Sequence, residues 1–231
     1  MRKITDKQPI FICIEGLDGS GKNLQTNMLY VKLREKGYNV TLVDFPQYDS
    51  FFGKEIGTYL SGRDPIRADQ IDTKSMSLWY AMDRWHKLKD IDLYSSDFVI
   101  FDRYTLSNAI YQSARVPAAR RKDLVHWIFE LEHDILSLPV PDLYIFLDVP
   151  PALSRKLNES KGYRKYIGNT GDIYEKDTHL QHTVREAYLE TSKALANMHI
   201  VPCTEHDTLL SPEIISERIM QLLKVSIFGD G

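Results

Sequence analysis

Cysteine is scarce in this chain, with only Cys13 and Cys203 among 231 residues. Each lies in an apolar stretch that reads as a buried strand, so both are expected to be small structural thiols in a reducing, cytoplasmic setting rather than a redox pair. Long apolar runs are missing as well. Ile10 to Ile14 and Leu143 to Leu147 are five residues each, far short of the roughly 18 that would cross a bilayer, so no membrane partner is expected. The start, MRKITDKQ, carries charge but no apolar segment of secretory length before Glu15 and Gly16, and export is not expected either. An excess of one charge is also lacking. With 29 basic and 32 acidic residues and a net charge of -3, no global field exists to hold nucleic acid, and any phosphate-binding charge must be local. There is no Pro/Ser/Gly-rich linker, no internal repeat and no N-K-x-D guanine-reading motif, which predicts one domain over 1–231 and disfavours a switch GTPase.

What is present is a globular balance of 43% apolar and 26% charged residues, arranged as β-rich apolar runs alternating with segments of helical period. Strands are predicted at Pro9 to Glu15, Asn39 to Phe45, Asp97 to Asp102, Asp142 to Val149 and His199 to Cys203. Helices are predicted at about Lys22 to Lys36, Lys54 to Leu60, Ala68 to Asp90, Leu106 to Ala114, Ala118 to Leu136, Pro151 to Ser160, Asp177 to Asn197 and Pro212 to Lys224. This alternation implies an α/β fold, a five-stranded parallel sheet with helices on both faces. Only KGYRKYIGNTGD, Lys161 to Asp172, has no apolar period, and it reads as a mobile loop.

The segment GLDGSGKN, Gly16 to Asn23, follows a strand and opens a helix, the context a phosphate-binding loop requires. Gly16, Gly19 and Gly21 let the backbone curl until its N–H groups face inward, around Leu17, Asp18 and Ser20. The helix N-terminus adds partial positive charge and Lys22 a full one. Where such a loop usually supplies Ser or Thr to hold Mg²⁺, this chain has Asn23, a neutral and bulkier ligand.

The acceptor must be read elsewhere. Asp102 and Arg103 end a predicted strand, the edge at which open α/β sheets bind ligands, although such a pair can also be purely structural. In the next helix Asn108, Tyr111 and Gln112 fall at i, i+3 and i+4, so two amides and a phenol share a face beside Arg103. In SLWYAMDRW, Leu78, Met82 and Trp85 make a stripe expected to be core, whereas Tyr80 and Arg84 lie four apart on another face. A tyrosine plane can stack on a base, and an arginine can only donate to it. Trp79, Trp85 and Trp127 are expected in the core or at a dimer interface. His179 and His182 have metal-ligand spacing but no third ligand.

Taken in order, EGLDGSGK, FPQY, YAMDR, DRYTLSNAIYQ and DIYEKD resemble the thymidylate kinase family, over Phe11 to about Tyr188. The resemblance implies a P-loop kinase fold, usually dimeric, that uses ATP with Mg²⁺ to convert dTMP to dTDP. It implies that Lys22, Arg103, Asp18 and Arg164 are catalytic and that Arg155 joins the loop residues at ATP. On the substrate side it implies Phe45, Tyr48, Ser107, Gln112 and Tyr174. Arg103 would hold the acceptor phosphate, Tyr80 would stack on thymine and Arg84 would meet O4. Asn108 would read the base edge and Tyr111 would crowd the sugar 2′ position. Asp18, Asn23, Asp102 and Glu175 are the implied metal neighbours.

The chemistry fits without the family. An acceptor phosphate is already an anionic nucleophile, so the task is to bring two polyanions together. Unit charges at 4 Å repel by roughly 4 kcal/mol at an effective dielectric of ~20, so cations must enclose the site. Arg155, Lys156, Lys161, Arg164 and Lys165, opposed only by Glu159 in the stretch Ser154 to Thr170, predict a basic lid over about 154–175. Leu24 and Gln47 depart from the family pattern along with Asn23. Gln47 stands where an arginine is common, which leaves Arg103, with Arg63 or Arg67, for the acceptor phosphate. A kinase for another deoxynucleotide is an alternative reading. So is a deoxynucleoside kinase, with Asp18 or Glu15 as base, or a weakly active nucleotide-binding paralogue.

Overall fold

In three of the central strands, side chains alternate between two apolar cores, the pattern expected of a sheet covered on both faces. In β1 (Ile10–Gly16), Phe11 and Cys13 enter one core and Ile10, Ile12 and Ile14 the other. The same alternation runs through β3 (Phe98–Asp102) and β4 (Leu143–Asp148). A computed structural model describes residues 8–62, 65–159 and 172–229. With β2 (Val40–Asp44) and β5 (Met198–Pro202), these strands form a five-stranded parallel sheet in the order β2-β3-β1-β4-β5.

Helix α1 (Lys22–Glu35) and helix α9 (Pro212–Leu223) cover one face through Leu29, Leu33, Ile215, Ile219 and Leu223. The other face is covered by α2 (Phe51–Ser61), α3 (Thr73–Leu88), α4 (Thr105–Ala114) and α8 (Thr178–Ala194). Helix α5 (Ala118–Phe129) packs outside α4, while α6 (Pro151–Glu159) and the short α7 (Ile173–Lys176) flank the carboxyl edge of the sheet. Each fully buried Leu, Ile or Phe in these cores contributes about 1.5–3 kcal/mol. Cys13 and Cys203 are free, buried and assigned to opposite cores, as expected of structural thiols.

The chain leaves β1 into α1 on one face and leaves the neighbouring β3 into α4 on the other. Such a reversal opens a crevice between the two carboxyl ends, and that is where the site lies.

The structure corrects several expectations. The helix expected from Ala68 starts only at Thr73, where the Asp72 carboxylate accepts from the Ser75 N–H. Its stripe of Leu78, Met82 and Trp85 is not core: Leu78 and Trp85 are exposed and Met82 is half-buried. The buried face of α3 carries Met76, Ser77, Ala81, Asp83 and Arg84 instead. The helix expected to run unbroken to Leu136 widens into a π-helical turn at Glu130–Ile135. Of the expected lid, 154–159 belong to α6 and 173–175 to α7, and residues 160–171 lie outside the described residues.

Gly53 in α2 marks a close approach. A Cβ there would lie 2.0 Å from the Gln47 carbonyl oxygen and 2.9 Å from the Tyr48 nitrogen. In an open helix, alanine for glycine gains about 1 kcal/mol, but overpacking of this kind costs about 1–3 kcal/mol. Gly53→Ala is therefore expected to lower the thermal unfolding midpoint by several degrees. A raised midpoint would show that the turn at 47–50 yields freely.

Candidate active site

The phosphate loop is built as its sequence requires. Gly19 and Gly21 have φ of 88° and 86°, in the left-handed region that favours glycine, and a Cβ on Gly19 would fall 2.1 Å from the Ser154 carbonyl oxygen. Ser154 on α6 in turn donates to the Asp18 carbonyl at 2.7 Å, tying loop to helix. Lys22 is buried and its Nζ donates to the carbonyls of Leu17 at 2.8 Å and Gly16 at 3.2 Å. Three features fit a bound phosphate. The Ser20 hydroxyl is buried with no partner among the described residues, α1 has no side-chain cap, and α4, which starts beside Arg103, has none either. By contrast α2, α3, α8 and α9 are capped by Ser50, Asp72, Asp177 and Ser211, although α5, packed outside α4, has no side-chain cap either.

Arg103 sits at the end of β3 with φ of 65°, a backbone state that costs a non-glycine residue energy and is held by its surroundings. Its Nη2 donates to Asp18 Oδ1 at 2.5 Å and its Nη1 to the Ser107 hydroxyl at 3.1 Å, while its guanidinium lies 5.3 Å from the Tyr111 ring centre. Tyr111 donates to the other Asp18 oxygen at 3.1 Å. Beneath this layer the buried Glu15 accepts from Ser107, from the Tyr188 hydroxyl at 2.8 Å and from the Tyr104 N–H at 3.3 Å. Both of its oxygens are engaged, so Glu15 is a structural anchor and not a free base.

A second cleft opens beside Arg103, lined by Phe45, Pro46, Tyr48, Leu60, Tyr80, Arg84, Ser107, Asn108, Tyr111, Asp172 and Tyr174. Pro46 follows a cis peptide bond. Arg84 is buried and pairs with Glu132 through Nε at 2.6 Å and Nη2 at 2.5 Å. Burial works against its charge, but the Glu132 carboxylate outweighs that and raises its pKa. Asn108 donates to the same carboxylate at 2.8 Å and to the Ser77 carbonyl at 3.1 Å. Tyr174 lies under Tyr111 with ring centres 6.3 Å apart, and burial pushes its phenol up to about 12.

The metal candidates are only partly assembled. Asp18, Asn23, Asp102 and Glu175 line one cleft with Lys22 and Arg103, but among the described residues no three His, Cys, Asp or Glu side chains are grouped as a metal cage. Asp102 stands register-opposite Asp44 on β2, and burial, with Asp44 and Glu15 adding to it, raises its pKa.

Other expected residues lie apart. Gln112 is buried behind the cleft wall and is not among the residues that line the cleft, its Oε1 accepting from Arg115 at 2.5 Å. Arg67 pairs with Asp69, and Gln47 turns back to Asp44. Arg155 is exposed on α6 in a separate groove with Lys156, Glu175 and His182, and Glu175 also lines the phosphate cleft. Arg63 and Arg164, with Lys161 and Lys165, lie outside the described residues. His179 and His182 are exposed. Sequence reasoning missed Glu132, Asp172 and Arg115. The last clamps the Ala68 and Ile71 carbonyls and the Tyr174 hydroxyl at 2.7–2.9 Å. A lone Glu at a helix end or an Arg at a helix C-cap carries no local signal.

Residues 14–214 match the family described as Thymidylate kinase. A probable thymidylate kinase from Pyrococcus horikoshii is 33% identical over 95% of this chain and 98% of its own length. The thymidylate kinase of Mycobacterium tuberculosis is 30% identical over 78% of this chain and 85% of its own length. A solved thymidylate kinase from Candida albicans, 22% identical, superposes with a TM-score of 0.70 over 94% of this chain and 92% of that one, a likeness of fold.

Burial alone would raise the Asp18 carboxyl, yet Arg103, Lys22 and the Tyr111 hydroxyl together hold it below its usual value. Its folded-state pKa thus lies under the unfolded value of roughly 3.9. The stability it contributes is fully present above about pH 4 and is lost as the pH falls through the folded value. Arg103→Met removes the strongest attraction and leaves the burial, so the Asp18 carboxyl is expected to titrate at higher pH when followed by carbon NMR. An unmoved titration would show that Arg103 does not set it.

Proposed function

Since this chain belongs to the thymidylate kinase family and transfers a phosphoryl group to dTMP, we propose that ATP is the donor, that Mg²⁺ accompanies it, and that the two clefts divide the substrates between them. The observation carrying this reading is that the clefts share Asp18, Phe45, Pro46, Tyr48 and Arg103. An acceptor with its base and sugar in one cleft therefore carries its phosphate to Arg103, facing the loop that cradles the donor. Tyr80 offers a ring to the base, Arg84 a donor to its O4, and Asn108 an amide to its edge. Tyr111, Phe45, Tyr48, Ser107 and Tyr174 wall the sugar side. Gln112 supports this wall indirectly, through Arg115.

Lys22 rests on loop carbonyls, which it would exchange for donor phosphate oxygens. The N–H groups of Gly16 to Asn23 complete the cradle. Mg²⁺, when bound, neutralises charge between the phosphates. Asp102 and Asp18 would hold it, with Asn23 and Glu175 within the same cleft. The donor set fits, because Asp102 and Asp44, facing each other on adjacent strand ends in the same cleft, gain from a cation, and Mg²⁺ is commonly bound by one or two carboxylates plus substrate phosphates rather than by a protein cage. Arg155 would meet ATP from the adjoining groove.

The nucleoside-kinase alternative needs a free carboxylate at the 5′-hydroxyl. Glu15 is fully engaged, and Asp18 is tied to Arg103 and Tyr111. The five-stranded sheet, covered by helices on both faces, supports one domain over 1–231, and the two buried free thiols support a cytoplasmic location. A homodimer is supported by the outward apolar face of α2 and α3. Phe51, Leu78 and Trp85 are exposed there, beside the half-buried Trp79 and Met82.

ADP release with ATP and Mg²⁺ is expected with dTMP and not with thymidine. Arg103→Ala is expected to raise the KM for dTMP by at least about tenfold while that for ATP changes little, as for loss of a charge-assisted contact of about 1.5–3 kcal/mol. A rise confined to ATP would reverse the assignment of the two clefts. In sedimentation, the wild-type chain is expected as a dimer and the Leu78→Glu, Trp85→Glu double variant as a monomer. A monomeric wild-type chain would exclude the proposed interface.

A further inference from the structure

Glu132 belongs to none of the motifs that mark the site, yet the polar groups of the base cleft converge on it. It is completely buried, in the π-helical turn at Glu130–Ile135, while its neighbours Glu130, Asp134 and Ile135 are exposed. Wide turns of this kind occur often at functional sites. Its Oε2 accepts from Arg84 Nε at 2.6 Å and from the Thr105 hydroxyl at 2.7 Å, and its Oε1 accepts from Arg84 Nη2 and from Asn108 Nδ2 at 2.8 Å.

The consequence falls on Asn108. An ionised carboxylate and a backbone carbonyl can only accept, so with Glu132 on one side and the Ser77 carbonyl on the other, the amide nitrogen is committed to both. The Asn108 oxygen is then left buried and without a partner among the described residues, in a side chain that lines the cleft. A buried acceptor in that state costs free energy until a donor reaches it. Arg84, gripped through Nε and Nη2, keeps Nη1 uncommitted to Glu132 and can only donate.

We propose that Glu132 is the specificity-determining positioning residue of the base cleft. By fixing Asn108 as an acceptor and Arg84 as a donor, it selects a pyrimidine with a protonated N3 and a 4-oxo group. A 4-amino pyrimidine, with a bare N3 lone pair and an amino donor, meets acceptor with acceptor and donor with donor. Thymine and uracil satisfy the pattern equally, so this device separates dTMP from dCMP and leaves dUMP to other contacts. The inference rests on the cleft being the base site.

Glu132→Gln supplies the test. Glutamine places an NH₂ among these groups, so of the two acceptors that fix the sense of the Asn108 amide only the Ser77 carbonyl remains, and the amide samples both orientations. The ratio of kcat/KM for dTMP to that for dCMP is expected to fall at least about tenfold, chiefly through KM for dTMP. A residue that merely supports the fold would lower stability and leave this ratio alone. An unchanged ratio with active enzyme therefore overturns the inference, whereas a wild-type enzyme silent with every nucleotide overturns the underlying reading instead. Should the variant fail to fold, the wild-type protein answers by NMR. Without nucleotide, the Asn108 side-chain amide is expected as two distinct, exchange-protected proton signals, and 3-methyl-dTMP, which lacks the N3 proton, is expected to bind at least about tenfold more weakly than dTMP. Averaged, rapidly exchanging amide protons or equal binding would contradict it.

Discussion

Two polyanions must share one crevice, and the fold is arranged around the cation that makes this tolerable. Arg103 ends β3 in a left-handed conformation, and the groups that hold it there are drawn from several elements: Asp18 from the phosphate loop, Ser107 and Tyr111 from α4. Glu15 secures Ser107 from below and is itself fastened to Tyr188 on α8. The charge is thus set in place before any substrate arrives, and the cost of orienting it falls on folding rather than on binding. The same logic accounts for the uncapped N-termini of α1 and α4 and for the partnerless Ser20 hydroxyl, all of which adjoin the place where phosphates are required.

The base cleft follows a different rule. Its selectivity lies in polar groups whose hydrogen bonds are almost all spoken for, so the few that remain have a fixed sense. Arg84 and Asn108 can present a donor and an acceptor reliably only because Glu132 is buried with them and is ionically and sterically committed. This also explains why α3 turns charged and polar residues inward and Leu78 and Trp85 outward. The inner face serves the cleft, and the outer face carries the exposed Leu78 and Trp85 on which the proposed dimer rests.

Much of this was legible in the sequence. The glycines and Lys22 of the loop, and the run from Asp102 to Tyr111, are local motifs whose spacing already sets their geometry, and the apolar runs marked the five strands of the parallel sheet but not the short antiparallel pair Thr204–Glu205 and Thr208–Leu209. What was hidden depends on distance along the chain. Glu132 lies 48 residues from Arg84 and 24 from Asn108, and its inward direction comes from a π turn that a regular helical period does not reveal. The stripe of Leu78, Met82 and Trp85 was misjudged because periodicity locates an apolar face without saying whether sheet or partner covers it. Gln112 shares a face with Asn108 by spacing, but its Oε1 is engaged by Arg115 and it does not line the cleft.

The central claim, that Arg103 is a preformed receptor for the acceptor phosphate, is tested most directly by calorimetric titration of the ATP-free protein with dTMP and thymidine in parallel. Two charge-assisted hydrogen bonds correspond to at least about 100-fold tighter binding of dTMP. The account predicts that difference in the wild-type chain and its collapse in Arg103→Met. Equal affinity for the two ligands in the wild-type chain, or an undiminished difference in the variant, would contradict it.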